Sequence, residues 1–369
     1  LAYPEYGMKV TAINGQPVGE NPVSFKALEK ITAEGEVLDV SGQLATDFTG
    51  IVNPTVKDSK MTVTCLKNNN QDDSPAFTFT DYPNTIFIGN DSVRNGKFSF
   101  TFTVPKDISY SNLQGKMNLY AVDTESGNEA QGNFDNFIVG GTSDTAETDT
   151  IGPEIRALYL NDTTFVDGGQ VNTTPYFVAE LWDKSGVNIT GSSVGHDMML
   201  VIDESTVLSY NLNSYYELLP GEDGTGIVKF PIPALEPGKH TAEFWVWDIL
   251  NNSTVRTFTF EVVEGLKPFL FDVIATPGIA REQVTFHLMH NRPESRMRVG
   301  IMVYDLAGRQ LWKHEESGTS GLFGNYTVSW DLTSGGARMR PGVYIYRAAI
   351  STDNSKDATK ARKFIILGE

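Results

Sequence analysis

The sequence predicts an all-β protein made of tandem immunoglobulin-like β-sandwich domains. Short runs rich in Val, Ile, Thr, Tyr and Phe alternate with turn residues, and the 369 residues include 34 Gly and 17 Pro. Phe98, Phe100 and Phe102 alternate with small polar residues, which is the period-two pattern of a half-buried strand. No segment of useful length shows the period of a helix, which is about 3.6 residues.

Composition divides the chain into successive segments. A chain of 369 residues has room for about two to three domains. The predicted segments are an N-terminal tail or linker strand with an Asn-Gly turn (1–22), a first sandwich (23–141), a small, polar and acidic linker (142–151), a second sandwich (152–265) and a third sandwich (266–369). In the third sandwich, Ala307-Gly308 and Pro341-Gly342 are the predicted turns between strands.

Charge is distributed unevenly along the chain. Residues 1–265 carry 15 Lys and Arg against 36 Asp and Glu, whereas residues 266–369 carry 14 against 10. The acidic body excludes nucleic acid as a partner, because neutralising phosphates requires Lys and Arg. The basic last segment indicates either an anionic partner for that segment or ordinary variation between domains.

Cysteine content and the termini limit the class of protein further. Cys65 is the only cysteine, so the chain forms no internal disulfide, and its place in an apparent strand predicts a small core residue rather than a nucleophile. No apolar run approaches the roughly 20 residues of a membrane helix. The first residues lack the charged and apolar regions of a signal peptide, and we expect the chain to be a piece of a longer protein.

Candidate site residues are concentrated in the second sandwich. His196 lies between Gly-rich turns and is either a loop clamp or a ligand acting with Asp183 or Asp197. Oxygen-rich loops make a structural Ca²⁺ the most plausible ion, and no other cofactor is expected; the candidate ligands are Asp183, Asn188, Asp197 and Asp248. The alternative is that these side chains form turns with their own backbone.

Three tryptophans allow a sugar-binding platform as well as a core position. Trp182, Trp245 and Trp247 lie on predicted regular strands, which favours the core. In the linker, Thr145 and Thr150 stand in triplets that resemble the O-glycosylation sequon of Bacteroidota, although an acidic Thr-rich linker also produces such triplets by chance.

The end of the chain resembles the C-terminal signal domain of the type IX secretion system. The resemblance is carried by Val303-Tyr-Asp-Leu-Ala-Gly-Arg309, Trp330-Asp-Leu332, Gly342-Val-Tyr-Ile-Tyr-Arg347 and Lys363-Phe-Ile-Ile-Leu367. One departure is Ala275-Thr-Pro-Gly278, which stands where that family usually has Pro-Asn-Pro. FlgD-like immunoglobulin tails share the same architecture.

The middle of the chain resembles the post-catalytic region of gingipain-family (peptidase C25) sortases of the same system. The segments that resemble it are Asp183–Gly191, Gly195–Asp197, Leu212–Tyr216, Trp247–Ser253, Glu36–Gly50 and Val104–Tyr110. The resemblance implies a cysteine endopeptidase that removes the C-terminal domains of secreted cargo and attaches the cargo to lipopolysaccharide. Its Cys/His dyad would lie upstream of residue 1, so this chain carries no catalytic residue and is not itself an enzyme.

The resemblance also implies a location and partners. The protein is expected at the cell surface, associated with the outer membrane, with three partners: an outer-membrane β-barrel of the type IX system, the upstream protease domain and the C-terminal domains of cargo. The predicted docking strip comprises Tyr304, Arg309, Arg340, Tyr344, Tyr346 and Arg347. The alternative is a secreted adhesin or carbohydrate-binding protein that uses the same tail, which an exposed aromatic patch on residues 152–265 would favour.

Overall fold

Strands account for nearly all of the regular structure. The computed structural model describes residues 5–66, 75–144, 149–191, 195–219, 224–321, 324–352 and 354–367. These residues form 33 strands and one short 3-10 helix, Asn213–Tyr215, which confirms the prediction of an all-β chain of tandem β-sandwich domains. The described residues contain no helix that is long and apolar enough to cross a membrane.

Fourteen strands form the N-terminal domain. They are β1 (Tyr6–Ile13), β2 (Gln16–Pro17), β3 (Val23–Ala27), β4 (Lys30–Leu38), β5 (Gly50–Lys57), β6 (Met61–Thr64), β7 (Thr78–Asp81), β8 (Thr85–Ile88), β9 (Asp91–Arg94), β10 (Lys97–Thr103), β11 (Leu113–Gln114), β12 (Lys116–Asp123), β13 (Glu129–Phe134) and β14 (Phe137–Thr142).

The main sheet of this domain closes on itself. Its strand order is β12-β13-β1-β4-β10-β9-β5-β8, with β2 on β1, and β12 also pairs with β5 over its whole length. A smaller sheet of order β11-β14-β3 covers part of the domain. Phe98, Phe100 and Phe102 point into the core as their alternation predicted, and Phe25 stacks on Phe137 with ring centroids 4.3 Å apart.

The first strand is an integral member of this sheet. β1 pairs antiparallel with β4 and parallel with β13. It buries Met8, Val10 and Ile13 in the domain core. The predicted border at residue 23, which separated a tail or linker strand from the first sandwich, is therefore not where the structure divides the chain. The apolar residues of segment 8–13 are therefore core residues. The sequence predicted a strand here but did not show which strands pair with it.

A two-stranded ribbon extends from the N-terminal domain. β6 pairs only with β7 among the described residues, and the ribbon exposes Met61, Phe77 and Phe79. Cys65 lies just past β6 and is exposed. The prediction that this cysteine is a core residue was wrong, because Cys65 adjoins a two-stranded ribbon whose described side chains are largely exposed.

The chain folds into two compact units. The first consists of Leu1–Ala157, Ala179–Val228 and Ala242–Thr257, and the second of Leu158–Val178, Lys229–Thr241 and Phe258–Glu369. The division passes through several of the next nine strands. They are β15 (Glu154–Leu160), β16 (Gly169–Val171), β17 (Tyr176–Trp182), β18 (Met199–Ile202), β19 (Ser209–Asn211), β20 (Tyr216–Leu218), β21 (Thr225–Pro231), β22 (Gly238–Trp247) and β23 (Ser253–Val262). The predicted borders between the three sandwiches stay predictions.

Each unit holds its own pairings of these strands. In the first unit, β18 pairs antiparallel with β19 and β22, and β20 pairs antiparallel with β21. In the second unit, β16 pairs parallel with β23. On β22, Phe244 and Val246 are buried, and Trp245 and Trp247 on the opposite face are half-buried.

Ten strands form the C-terminal part of the second unit. They are β24 (Leu270–Thr276), β25 (Ile279–Ala280), β26 (Val284–His290), β27 (Arg296–Tyr304), β28 (Gln310–Thr319), β29 (Asn325–Trp330), β30 (Thr333–Ser334), β31 (Ala337–Arg338), β32 (Gly342–Ser351) and β33 (Ala358–Ile366). Sheets of order β24-β26-β29 and β25-β33-β32-β27-β28 enclose the core, and Gly308 supplies the positive φ of the predicted turn between β27 and β28.

Candidate functional site

Three carboxylates come together within the first unit. Asp183 directly follows β17, Asp248 directly follows β22, and Asp149 lies in the stretch before β15. One oxygen of each carboxylate lies within 4.8 Å of an oxygen of the other two. Asp183 and Asp248 are 5% and 0% exposed, and Asp149 is half-buried. We call these three residues the acidic cluster.

Turns that follow the strands fix two of these carboxylates. Asp183 Oδ1 accepts hydrogen bonds from the N–H groups of Ser185 at 2.7 Å and Gly186 at 2.9 Å. Asp248 Oδ1 accepts one from the N–H of Asn252 at 2.7 Å. These are the side-chain-to-backbone turns that the sequence offered as the alternative to an ion site.

Polar side chains connect the cluster. Ser185 Oγ donates to Asp149 Oδ2 at 2.7 Å. Asn252 Nδ2 donates to Asp248 Oδ2 at 2.6 Å and to the carbonyl oxygen of Asp149 at 3.1 Å. The stretch before β15 is therefore held against the ends of β17 and β22 by the same side chains that surround the carboxylates.

Burial and mutual repulsion raise two of the three carboxyl pKa values. Burial raises the pKa of Asp183 to about 6, and the charges of Asp248 and Asp149 add to the rise. Burial likewise raises the pKa of Asp248, again with a contribution from Asp149. The hydroxyl of Ser185 lowers the pKa of Asp149, with help from the N–H of Ile151. At neutral pH the cluster thus concentrates negative charge in a desolvated place.

A hard cation is the partner that this chemistry favours. Carboxylate oxygens are the ligands that Ca²⁺ prefers, and a bound cation would remove the repulsion that raises these pKa values. Of the four predicted ligands, Asp183 and Asp248 belong to the cluster. Sequence reasoning missed Asp149, because its small, polar and acidic surroundings indicated a linker.

The other two predicted ligands lie outside the cluster. Asn188 Oδ1 accepts hydrogen bonds from the N–H and the hydroxyl of Thr190, at 3.0 and 2.8 Å. Asp197 Oδ1 accepts one from Asn213 Nδ2 at 2.7 Å. Their oxygens cap neighbouring loops. That the four residues are calcium ligands stays a prediction.

A second polar group in the first unit centres on Asp107. Its Oδ2 lies 2.6 Å from His196 Nδ1, and its Oδ1 accepts a hydrogen bond from Asn251 Nδ2 at 2.9 Å. The His196 ring also packs on Trp247, with centroids 4.5 Å apart. The carboxylate partner of His196 is thus Asp107, and neither Asp183 nor Asp197. Asp107 was missed, because a single acidic residue in a loop gives no signal of its distant partner.

The acidic cluster predicts an unusual dependence of stability on pH. Because the pKa of folded Asp183 is about 6 and its ordinary value is 3.8, the folded state binds more protons between these values. The free energy of unfolding contributed by this group therefore falls as pH rises from about 4 to about 6. In the presence of a chelator, Asp183→Asn should remove this decrease in the free energy of unfolding. It should also raise the melting temperature at pH 7, measured by thermal denaturation.

Calcium should have the opposite effect on the wild-type chain. At pH 7, about 1 mM Ca²⁺ should raise the melting temperature, because Ca²⁺ binds the folded cluster and not the unfolded chain. This concentration matches the dissociation constants of extracellular calcium modules, which are about 0.1–1 mM. Asp197→Asn is the matched control, since Asp197 lies outside the cluster, and it should keep the response. A calcium response that survives Asp183→Asn combined with Asp248→Asn would rule out this cluster as its source.

The predicted docking strip divides between surface and core. Tyr346 is 1% exposed and donates its hydroxyl to the carbonyl oxygen of Val273 at 3.0 Å, and Tyr344 is 8% exposed. These two side chains are core residues and cannot contact a partner, because Tyr344 and Tyr346 occupy the inward positions of β32. Arg347 is exposed on the outward side of the same strand.

The remaining strip residues are at the surface. Tyr304 and Arg347 occupy outward positions on the paired strands β27 and β32, where Tyr304 is opposite Ile345 and Arg347 is opposite Met302. Arg309 and Arg340 are exposed in the loops before β28 and β32. Asp305 forms an ion pair with Arg309 at 3.1 Å.

The glycosylation and aromatic candidates can be located only in part. Thr150 is exposed, and Thr145 lies outside the described residues. Trp182, Trp245 and Trp247 are all half-buried. The guanidinium of Arg156 lies 5.0 Å from the Trp182 ring centroid, and Trp247 packs on His196. These contacts give Trp182 and Trp247 local partners.

Comparison with known proteins finds a substantial similarity in sequence. No family model matches the chain, and no curated protein matches it. A crystal structure of dimeric latent PorU from Porphyromonas gingivalis is 37% identical over 99% of this chain and 34% of that chain, with a TM-score of 0.44. The relation to PorU rests on the sequence identity and not on the superposition. The chain spans about a third of that protein's length.

Two further solved structures are much less similar. A tetra-tandem repeat from the extending region of a large adhesion protein is 14% identical, over 99% of this chain and 74% of that chain, with a TM-score of 0.21. A Bacteroides ovatus protein of a mixed-linkage glucan utilization locus, solved with a heptasaccharide, is 10% identical, over 98% of this chain and 70% of that chain, with a TM-score of 0.26. Neither similarity supports a function for this chain.

Proposed function

We propose that this chain is the non-catalytic C-terminal region of a PorU-like, gingipain-family cysteine endopeptidase and sortase of the type IX secretion system. In this proposal residues 1–265 support the upstream protease domain. Residues 266–369 serve as the secretion and docking module that brings the protein to the outer membrane at the cell surface. The observation that carries the proposal is the 37% identity to PorU along 99% of this chain.

The surface of the last segment supports a docking role. The outward positions of β27, β32 and β33 bring Tyr304, Arg347 and Lys363 onto one sheet face, because Tyr304 and Lys363 are both opposite Ile345. This face combines an aromatic ring, aliphatic side chains and cations. Such a face fits a partner surface that is partly apolar and partly acidic. Our proposed partner is an outer-membrane β-barrel of the type IX system.

A crosslinking pull-down from outer-membrane extract tests the docking proposal. The wild-type chain should recover a type IX outer-membrane β-barrel, identified by mass spectrometry. A variant that combines Arg347→Glu with Tyr304→Ala should lose it. Lys356→Glu is the charge-matched control, since Lys356 is exposed in the loop between β32 and β33, and it should bind like the wild type. Equal recovery by all three proteins would overturn the docking proposal.

Removal of the last segment gives a second, cellular test. In the full-length protein, deletion of residues 266–369 should abolish surface display and retain the protein in the periplasm, because the deletion removes the proposed secretion signal. Surface proteolysis of intact cells measures display. Normal display of the truncated protein would contradict the proposed signal.

The second candidate function is a secreted adhesin or carbohydrate-binding protein with the same tail. For residues 152–265, the half-buried tryptophans with their own local partners give this candidate little support. A peptidase assay on this chain should show no activity, since the proposed Cys/His dyad lies upstream of residue 1.

A further inference from the structure

The N-terminal domain carries an unusual set of polar side chains on its outer surface. Three neighbouring strands, β5, β12 and β13, form a shallow concavity of about 590 Å³. Two rows of side chains point outward across these strands: Asn53, Tyr120 and Gln131 in one row, and Thr55, Asn118 and Asn133 in the next. We call these six residues the amide face.

Strand register fixes the geometry of the amide face. Tyr120 is directly opposite Asn53 on one side and Gln131 on the other, and Asn118 is opposite Thr55 and Asn133 in the same way. With strands about 4.8 Å apart and alternate residues about 7 Å apart, the six side chains cover about 10 by 7 Å. The backbone beneath them is rigid, because β12 is hydrogen-bonded on both sides in the closed sheet.

The composition of this face is not explained by the fold. Asn is among the residues depleted in strands, whereas Thr, Val and Ile are favoured at such positions. Asn53, Asn118, Gln131 and Asn133 are exposed, and none of these four carboxamides forms a hydrogen bond to another described residue. Their donors and acceptors are therefore turned to solvent without contributing to the stability of the domain. This arrangement is expected where a ligand takes up the hydrogen bonds.

The chemistry of the face selects the ligand. The six side chains carry no charge, and Lys116 is the one charged residue that lines the concavity. A polyanion such as a nucleic acid is bound by several cations, so a single lysine disfavours it. The strands are internal to a closed sheet, so they offer no edge for the addition of a peptide strand. Each carboxamide is both a donor and an acceptor, as is a sugar hydroxyl. The ring of Tyr120, which is 40% exposed, offers an apolar surface beside them.

We propose that the amide face, built on β5, β12 and β13, binds a neutral oligosaccharide. The carboxamides hydrogen-bond to its hydroxyl groups, and Tyr120 packs against the face of one sugar ring. The proposal does not depend on the function proposed above, because it rests on the N-terminal domain alone.

A glycan array that contains neutral and acidic oligosaccharides tests the proposal on the whole 369-residue chain. The wild type should bind at least one neutral oligosaccharide. Tyr120→Ala should abolish this binding, and Asn118→Ala should weaken it about three- to tenfold, the effect of one or two lost hydrogen bonds. A variant that combines Gln16→Ala with Gln43→Ala removes two exposed carboxamides outside the face and should bind like the wild type.

A further variant separates a binding role from a structural one. Asn118→Thr should raise the melting temperature slightly, because Thr is the better strand former, while it weakens glycan binding. Three results would each overturn the proposal: no neutral glycan bound by the wild type, binding of acidic glycans only, or binding that Tyr120→Ala leaves unchanged.

Discussion

Replacing Phe286 by alanine is expected to destabilise the C-terminal β-sandwich by about 3–5 kcal/mol, the usual cost of emptying an aromatic position in a core. Phe286 is 0% exposed, and its ring centroid lies 4.9 Å from that of Tyr346 and 6.0 Å from that of Phe364. The substitution therefore removes the ring against which both sheets pack. Urea denaturation followed by tryptophan fluorescence measures the loss, with Trp330 as a reporter in the same core.

The matched control lies on the same strand. Met289 is 45% exposed, and Met289→Ala should change the free energy of unfolding by less than about 1 kcal/mol. Similar losses for Phe286→Ala and Met289→Ala would show that the assignment of inward and outward positions on β26 is wrong. If the docking proposal holds, Phe286→Ala should also reduce recovery of the outer-membrane partner, and Met289→Ala should not.

Replacing Gly132 by alanine is expected to cost about 3 kcal/mol or more in the N-terminal domain. A Cβ at this position would lie 2.1 Å from the carbonyl oxygen of Met8. The obstructing atom belongs to the backbone of β1, so it cannot move aside as a flexible side chain can. The substitution should therefore loosen the parallel pairing between β1 and β13. Hydrogen exchange at the amides of residues 6–10 measures this loosening directly.

Gly7 provides the control for this prediction. It is on β1 and pairs with Gln131, yet a Cβ there would meet nothing within 4 Å. Gly7→Ala should be neutral or stabilise the domain by about 0.4–1 kcal/mol, because it restricts only the unfolded chain. If Gly132→Ala were as harmless as Gly7→Ala, β1 would not be packed against β13 as the structure has it.

Local patterns in the sequence predicted those elements whose structure depends on residues close together in the chain. The alternation of Phe98, Phe100 and Phe102 predicted the inward face of β10, and Ala307-Gly308 predicted the turn between β27 and β28. Both depend on residues close together in the chain. Polar loop residues after the strands likewise indicated Asp183 and Asp248 as candidate metal ligands, and the structure brings their carboxylates together.

Features that depend on distant partners could not be predicted. Asp149 stands in a segment with the composition of a linker, and only the fold brings it to Asp183. On β32, hydrophobic residues occupy both faces, so the alternation does not show that Tyr346 points inward and Ile345 outward. Cys65 has the neighbours of a core strand, but it adjoins a ribbon whose described side chains are largely exposed. In each case the missing information is the identity of the contacting element.

The closed sheet of the N-terminal domain also sets an order of events during folding. Tyr6 on β1 pairs with Ala130 on β13, so the first strand of the domain finds one of its two neighbours only after more than a hundred further residues are available. Contacts between residues so far apart in sequence are slow to form, because the intervening chain must be ordered first. While the chain is being synthesised, the N-terminal strand is therefore unpaired on that side until β13 has emerged. The main sheet can close only when β1 pairs with β13, so its closure is a late step in the folding of the domain.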